Sequence, residues 1–165
     1  MARLFDVAIL KSGGQYQLSD DNNAPLYVKV ADMNTAENLT EITVSASRCI
    51  CNENDLVPVG SIIFPKRGGA ILTNKKRLSI RSSIAIDTNT MAMTPLSDMT
   101  LNYLKLWLDS FDLSSLCSGN VVPQINNQDL YPLLIPIPPI EEQRRIAVIV
   151  DTAFNWLNEI TANLS

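Results

Sequence analysis

The sequence predicts an α+β fold: a compact, mixed, strand-rich domain followed by one C-terminal helix of the coiled-coil type. Three observations predict it. Short apolar runs recur along residues 1–137 with Gly, Pro and Asn clusters between them. A single internal segment carries an apolar stripe at helical spacing. Near the C-terminus, Pro136, Pro138 and Pro139 fix an extended approach, and an amphipathic helix starts straight after them. The 165 residues therefore divide into a domain at 1–138 and a helix at 139–165.

Each element follows in order. Leu4–Leu10 opens as a short strand or a helical turn, and Lys11-Ser12-Gly13-Gly14 breaks it. Ser19–Asn23 is polar loop. Pro25–Val30 alternates as a strand, with Leu26, Val28 and Val30 on one face. Residues 31–41 form loop or a short helix, and Ile42–Ser45 and Arg48–Cys51 are short strands. Val59–Phe64 is almost wholly apolar, the pattern of a strand covered on both faces. Pro65–Gly69 makes a tight turn, Ala70–Thr73 returns, and Asn74 starts another turn. Leu78–Ile86 has the clearest β alternation, with Leu78, Ile80, Ser82, Ile84 and Ile86 opposite Arg77, Ser79, Arg81 and Ser83. Ser97 caps a helix from about Asp98 to Phe111, striped by Leu101, Leu104, Leu108 and Phe111. Ser118-Gly119-Asn120 breaks the chain, and Leu130–Ile137 is the last strand.

In the final helix, Glu141–Leu164, the first-turn carboxylates Glu141 and Glu142 suit the positive end of the helix dipole, and Arg144 and Arg145 follow one turn on. Ile146, Val150, Ala153, Leu157, Ile160 and Leu164 make a seam spaced 4, 3, 4, 3, 4, which Phe154 and Trp156 widen. Such a stripe either folds back on its own domain or pairs with another helix. The proline brake projects the helix outward and favours the second.

Composition removes several function classes. At 46% hydrophobic and 18% charged residues the chain can build a core, so disorder is excluded. No apolar run reaches the roughly 20 residues of a membrane span. Asp6 comes too early for a secretory signal, so a cytoplasmic protein is expected. There is no histidine, which removes the commonest general base and zinc ligand. Cys49, Cys51 and Cys117 make neither a disulfide framework nor a full zinc site and read as buried free thiols. No phosphate loop, dinucleotide fingerprint or nucleophile elbow occurs. Catalysis by the chain itself is not expected.

The net charge is −4, yet from Gly60 to Ile86 six basic residues stand with no acid: Lys66, Arg67, Lys75, Lys76, Arg77 and Arg81. The rest of the chain holds seven basic against seventeen acidic residues, so the positive charge is concentrated. A positive stripe on an acidic body suits contact with phosphates, and Gly68 and Gly69 let a backbone approach closely. A solvated hairpin edge protected by charge would look the same. Charge alone does not choose between them.

Several patches carry a resemblance to one family. Ile135-Pro136-Ile137-Pro138-Pro139 followed by Glu142-Gln143 and Ile146 resembles an I-P-x-P-P strand end running into x-x-E-Q-x-x-I. Leu4–Ala8 with Gly13-Gly14 is similar to an L-G-D-V-A…G-G opening, with Phe5 where glycine is usual. Gly60–Ala70 is similar to a G-D-I-L-x-x-x-x-G strand and turn, and Ser118-Gly119 through Pro123–Asn126 and Asp129-Leu130 fits the segment before the last strand. In that order they resemble the target recognition domain of type I restriction-modification specificity subunits.

The resemblance implies a non-catalytic protein that reads half of a bipartite double-stranded DNA target. It implies docking to a DNA methyltransferase subunit and, through the complex, to a restriction subunit. S-adenosylmethionine, ATP and magnesium would belong to those partners. The family carries two recognition domains with two antiparallel helices, whereas this sequence shows one of each. The helix would then pair with a second copy or a second recognition domain. On this reading Lys66, Arg67, Gly68, Gly69, Lys75, Lys76, Arg77 and Arg81 contribute to the DNA face. Gln124 and Asn126 are possible base readers, with turn and cap roles favoured. The alternative is a protein-interaction module that recruits a partner through the apolar helix and never touches DNA.

Overall fold

A computed structural model describes residues 1–81, 84–117 and 122–164. The elements run β1 (Ala2–Arg3), α1 (Leu4–Val7), β2 (Ala8–Ser12), β3 (Gln17–Ser19), β4 (Tyr27–Val28), β5 (Arg48–Ile50), β6 (Ser61–Pro65) and β7 (Arg77–Ser79). They continue with β8 (Ala85–Ile86), β9 (Thr90–Pro95), α2 (Leu101–Asp109), α3 (Asn127–Leu130), β10 (Leu134–Ile135) and α4 (Ile140–Leu164). Short 3-10 turns fill several connections. This is the α+β arrangement the sequence predicts, a strand-rich body with one long C-terminal helix.

The centre is a four-stranded antiparallel sheet in the order β2-β9-β6-β7. Both faces of its two middle strands, β6 and β9, are covered. Ile62, Phe64, Met91 and Met93 point into a core completed by Leu104, Leu108, Ile125, Leu130 and Ile135. Ile63 and Ala92, one residue out of phase, point into a second core with Val28, Met33, Ile42, Ile84 and Ile86. This double coverage explains why β6 reads as continuous apolar sequence. The smaller pairs are β1 with β10, β3 with β5, and β4 parallel to β8.

The opening is both, a helical turn at Leu4–Val7 and then β2 from Ala8 through Ser12, and the break at Gly13 has a steric cause. A Cβ there would lie 2.0 Å from the Asp87 carbonyl oxygen, so only glycine lets β2 end against the β8–β9 connection.

Several boundaries differ from the sequence reading. Leu78–Ile86 is not one strand. Arg77–Ser79 pairs with β6, whereas Ala85–Ile86 pairs with β4, so the chain changes sheets between them, and Ile80 is exposed. Ser82 and Ser83 lie outside the described residues, as do Ser118, Gly119 and Asn120. Pro65 belongs to β6, and Gly68–Thr73 is a 3-10 helix, not a returning strand. β4 is shortened to two residues, both buried because two different cores cover its faces. Ile42–Ser45 is held as a loop: buried Asn38 accepts the Thr43 and Val44 N–H groups and donates to the Val44 and Asp32 carbonyls. Asp32 in turn accepts the Lys29 and Ala46 N–H groups. Residues 130–137 yield only β10, since Pro132 and Pro136 donate nothing to a ladder. β9 was not foreseen. Its Met-Ala-Met centre lacks the β-branched residues that mark strands.

α2 starts three residues later than Ser97 suggests, with Thr100 as its N-cap. The group that serves this helix start comes from elsewhere. Gln143, fully buried on α4, accepts the Thr100 N–H at 2.8 Å and donates to the Asp98 and Pro138 carbonyls at 2.8 and 3.0 Å. This single amide ties the start of α4 to the start of α2. Ala147, one turn on, is buried beside it and Ile146 packs on the main core.

The cysteines are free, as read, but only Cys49 is buried; Cys51 and Cys117 are half-buried. Burial and the neighbouring Cys51 push the Cys49 thiol up to about 12, so it is an inert packing group.

Candidate nucleic-acid interface

The end of β6 is held between two neighbours. The Lys66 N–H donates to the Asn89 carbonyl at 2.8 Å and its own carbonyl accepts the Ile125 N–H at 2.9 Å. The Gly68 N–H donates to the Pro123 carbonyl at 2.8 Å. Residues 66–68 therefore lie locked beside 123–125, at the end of the sheet where β2 stops and β9 begins.

The side chains there form a chain of polar contacts. Lys66 Nζ donates to Ser12 Oγ at 2.9 Å. Arg67 is exposed, and its Nε and Nη2 both donate to Gln124 Oε1, at 3.3 and 3.0 Å. Gln124 Nε2 donates to Asn126 Oδ1 at 2.5 Å. Asn126 is also the cap of α3, its N–H donating to Asp129 Oδ2 at 2.7 Å. Partial burial, with the nearby Arg67 cation, lowers the Lys66 pKa. Two cations thus sit side by side on a fixed turn. Gly68 takes φ +71°, which favours glycine, but its N–H is already spent on Pro123. Gly69 is exposed and has open space around it.

The other four basic residues do not continue this cluster as one stripe. Lys75 is half-buried and donates to Asn34 Oδ1. Lys76 is buried, 5% exposed, with Nζ donating to the Phe111 carbonyl at 2.7 Å and to Asn74 Oδ1 at 3.0 Å. Burial lowers its pKa, and a phosphate cannot reach it in this conformation. Arg77, expected to be exposed, is half-buried instead. Its Nη2 donates to the Met33 carbonyl at 3.2 Å, its pKa falls through burial, and its Nε has no hydrogen-bond partner among the described residues. The inward turn brings the guanidinium to the Met33 carbonyl, in the 3-10 turn at Val30–Asn34. Arg81 is exposed and lies 3.3 Å from Glu41.

The sequence reading missed Ser12 as the partner of Lys66. It named Gln124 without its role as the holder of Arg67. Local spacing carries no signal for a contact 57 positions apart.

The seam of α4 is split by the fold. Ile146 packs on the domain, and Val150 lines a groove of about 550 Å³ between α4, α2 and β7. Ala153, Leu157, Ile160 and Leu164 are exposed, as are Phe154 and Trp156. Among the described residues no helix is long and apolar enough to cross a membrane, and no group of three or more His, Cys, Asp or Glu could hold a metal ion.

Comparison with known proteins bears on the family and the fold. The family model for the type I restriction modification DNA specificity domain matches residues 1–165. The specificity subunit of the type I restriction enzyme MjaVIII from Methanocaldococcus jannaschii is 25% identical over 123 residues, which are 74% of this chain and 27% of that protein. The HsdS subunit from Thermoanaerobacter tengcongensis shares the fold with a TM-score of 0.79 at 18% identity, over 99% of this chain and 39% of that one. A chain from a study of complex assembly and conformational transition of the type I R-M system matches with a TM-score of 0.80 at 19% identity, over 98% of this chain and 40% of that one. The chain thus spans about a quarter to two fifths of the length of these relatives. From the opening motif to the last turn of α4, it belongs to the type I restriction-modification DNA specificity domain family.

Proposed function

We propose that this chain recognises one half of a bipartite double-stranded DNA target and performs no chemistry itself. The observation that carries the reading is the family match over residues 1–165. The fixed pair of half-buried Lys66 and exposed Arg67 supports it, with Lys75 and Arg81 as further phosphate contacts and Gly69 as a point of close approach. The domain works inside a type I restriction-modification complex. It places a methyltransferase subunit and, through the complex, a restriction subunit on the DNA, and those subunits bring S-adenosylmethionine, ATP and magnesium.

Binding of the chain to a mixed-sequence duplex over a salt series tests this. Each phosphate held contributes about 0.9 to the slope of log affinity against log salt, so three, at Lys66, Lys75 and Arg81, give roughly −2 to −3. Binding that is absent, or that salt leaves unchanged, contradicts the reading.

The exposed half of α4 serves assembly. It packs against a second helix of the same kind, from another copy or another recognition domain. Leu157→Glu with Ile160→Glu is expected to remove self-association in sedimentation while leaving the melting midpoint within about 2 °C, because neither side chain contacts the domain core. A recruitment module that ignores DNA would show the same helix dependence but a flat response to duplex.

A further inference from the structure

We infer that Arg67 reads a guanine in the major groove and that Gln124 is the residue that positions it. This rests on the DNA-recognition reading above. A guanidinium has two edges able to give paired hydrogen bonds, one through Nε and Nη2, the other through Nη1 and Nη2. Gln124 Oε1 occupies the first edge, accepting from Nε at 3.3 Å and Nη2 at 3.0 Å. The second edge keeps its Nη1 donors and one Nη2 donor, on a side chain that is exposed.

Gln124 itself is not loose. Its Nε2 donates to Asn126 Oδ1 at 2.5 Å, which turns Oε1 toward Arg67, and Asn126 is tied to α3 through Asp129. The backbones of 67 and 124 are bridged as well. The guanidinium plane is thus set by three residues and two elements before any ligand arrives.

Guanine presents two acceptors, O6 and N7, on its major-groove edge, and two parallel N–H groups match them. Adenine sets a donor beside N7, so the same edge is mismatched there. A phosphate also accepts paired N–H groups from a guanidinium, but its oxygens can be met from many directions, so it demands less of the side chain's orientation than a base edge does. Lys66, a compact ammonium next to it on Ser12, suits the phosphate role. The clamp on Arg67 is what favours a base.

The test is selection of tight binders by the full chain from a duplex library with a randomised centre, read by sequencing. Wild type, Arg67→Ala, Arg67→Lys and Gln124→Leu are compared, each checked for an unchanged melting curve. The wild-type motif is expected to hold one G·C pair at which guanine is preferred on the order of 10- to 100-fold. All three variants are expected to lose the preference at that pair and keep it elsewhere. Gln124→Leu and Arg67→Lys, which retain the charge, are expected to keep the salt slope. A motif unchanged by Arg67→Ala overturns the inference. So does an equal loss over all sequences with the slope reduced by about one, which marks a phosphate anchor. If wild type enriches no motif, the recognition reading falls and this inference with it.

Discussion

Reversing both charges of the surface cluster, Lys66→Glu with Arg67→Glu, is expected to weaken binding to a mixed-sequence duplex on the order of 100-fold. A hydrogen bond to a charged partner contributes at least about 1.5 kcal/mol, and two such contacts together make about 3 kcal/mol, which is that factor. The salt slope should flatten by about one, the share of the Lys66 phosphate contact. Folding should survive. The backbone bonds that hold residues 66–68 do not depend on either side chain, and Arg67 is exposed. Fluorescence anisotropy over a salt series, beside a thermal melt, checks both halves. A double variant that melts normally and binds as wild type would remove this cluster from the DNA face. The neighbouring residues are poorer probes. Lys76→Glu would set a buried carboxylate against the Phe111 carbonyl, so any loss of binding there would follow from unfolding.

Gln143→Leu is expected to lower the unfolding free energy by about 3 kcal/mol. Leucine keeps most of the volume but makes none of the three hydrogen bonds. It strands the half-buried Thr100 N–H and removes a donor from the Asp98 and Pro138 carbonyls. Each stranded group costs about 1–3 kcal/mol. In a domain of this size that corresponds to a midpoint lower by about 10 °C. Gln143→Glu should do no better. It can still accept from Thr100, but it places an acceptor against two carbonyl oxygens. Scanning calorimetry of both variants against wild type decides, and an unchanged midpoint would show that α4 is anchored by its apolar contacts alone.

Why Gln143 matters was not legible beforehand. The Glu142-Gln143 pair stands out as a motif, but its partners, Asp98 and Thr100, lie more than 40 positions away. The start of α4 was legible, because proline chemistry is local: Pro139 accepts the Glu142 and Gln143 N–H groups and the helix opens at Ile140. So was β6, whose almost wholly apolar run fits between two cores. The single strand read at 78–86 failed for an equally physical reason. Alternation reports which side of a strand is buried, not which sheet it joins, and the chain leaves β6 for β4 within that stretch. The basic run misled in the same way. Six cations close in sequence are not six on one surface, since Lys76 and Arg77 turn inward to satisfy the Phe111 and Met33 carbonyls. The pair at the end of β6, Lys66 and Arg67, owes its fixed geometry to Ser12 and Gln124, distant residues that only the fold brings near.

The most direct test of the central claim is a map of modified bases in the host genome, with the chain intact, deleted, or carrying Lys66→Glu with Arg67→Glu. The account predicts that one bipartite methylation motif vanishes on deletion and is lost or strongly depleted in the double variant. A methylation map identical in all three strains would contradict it.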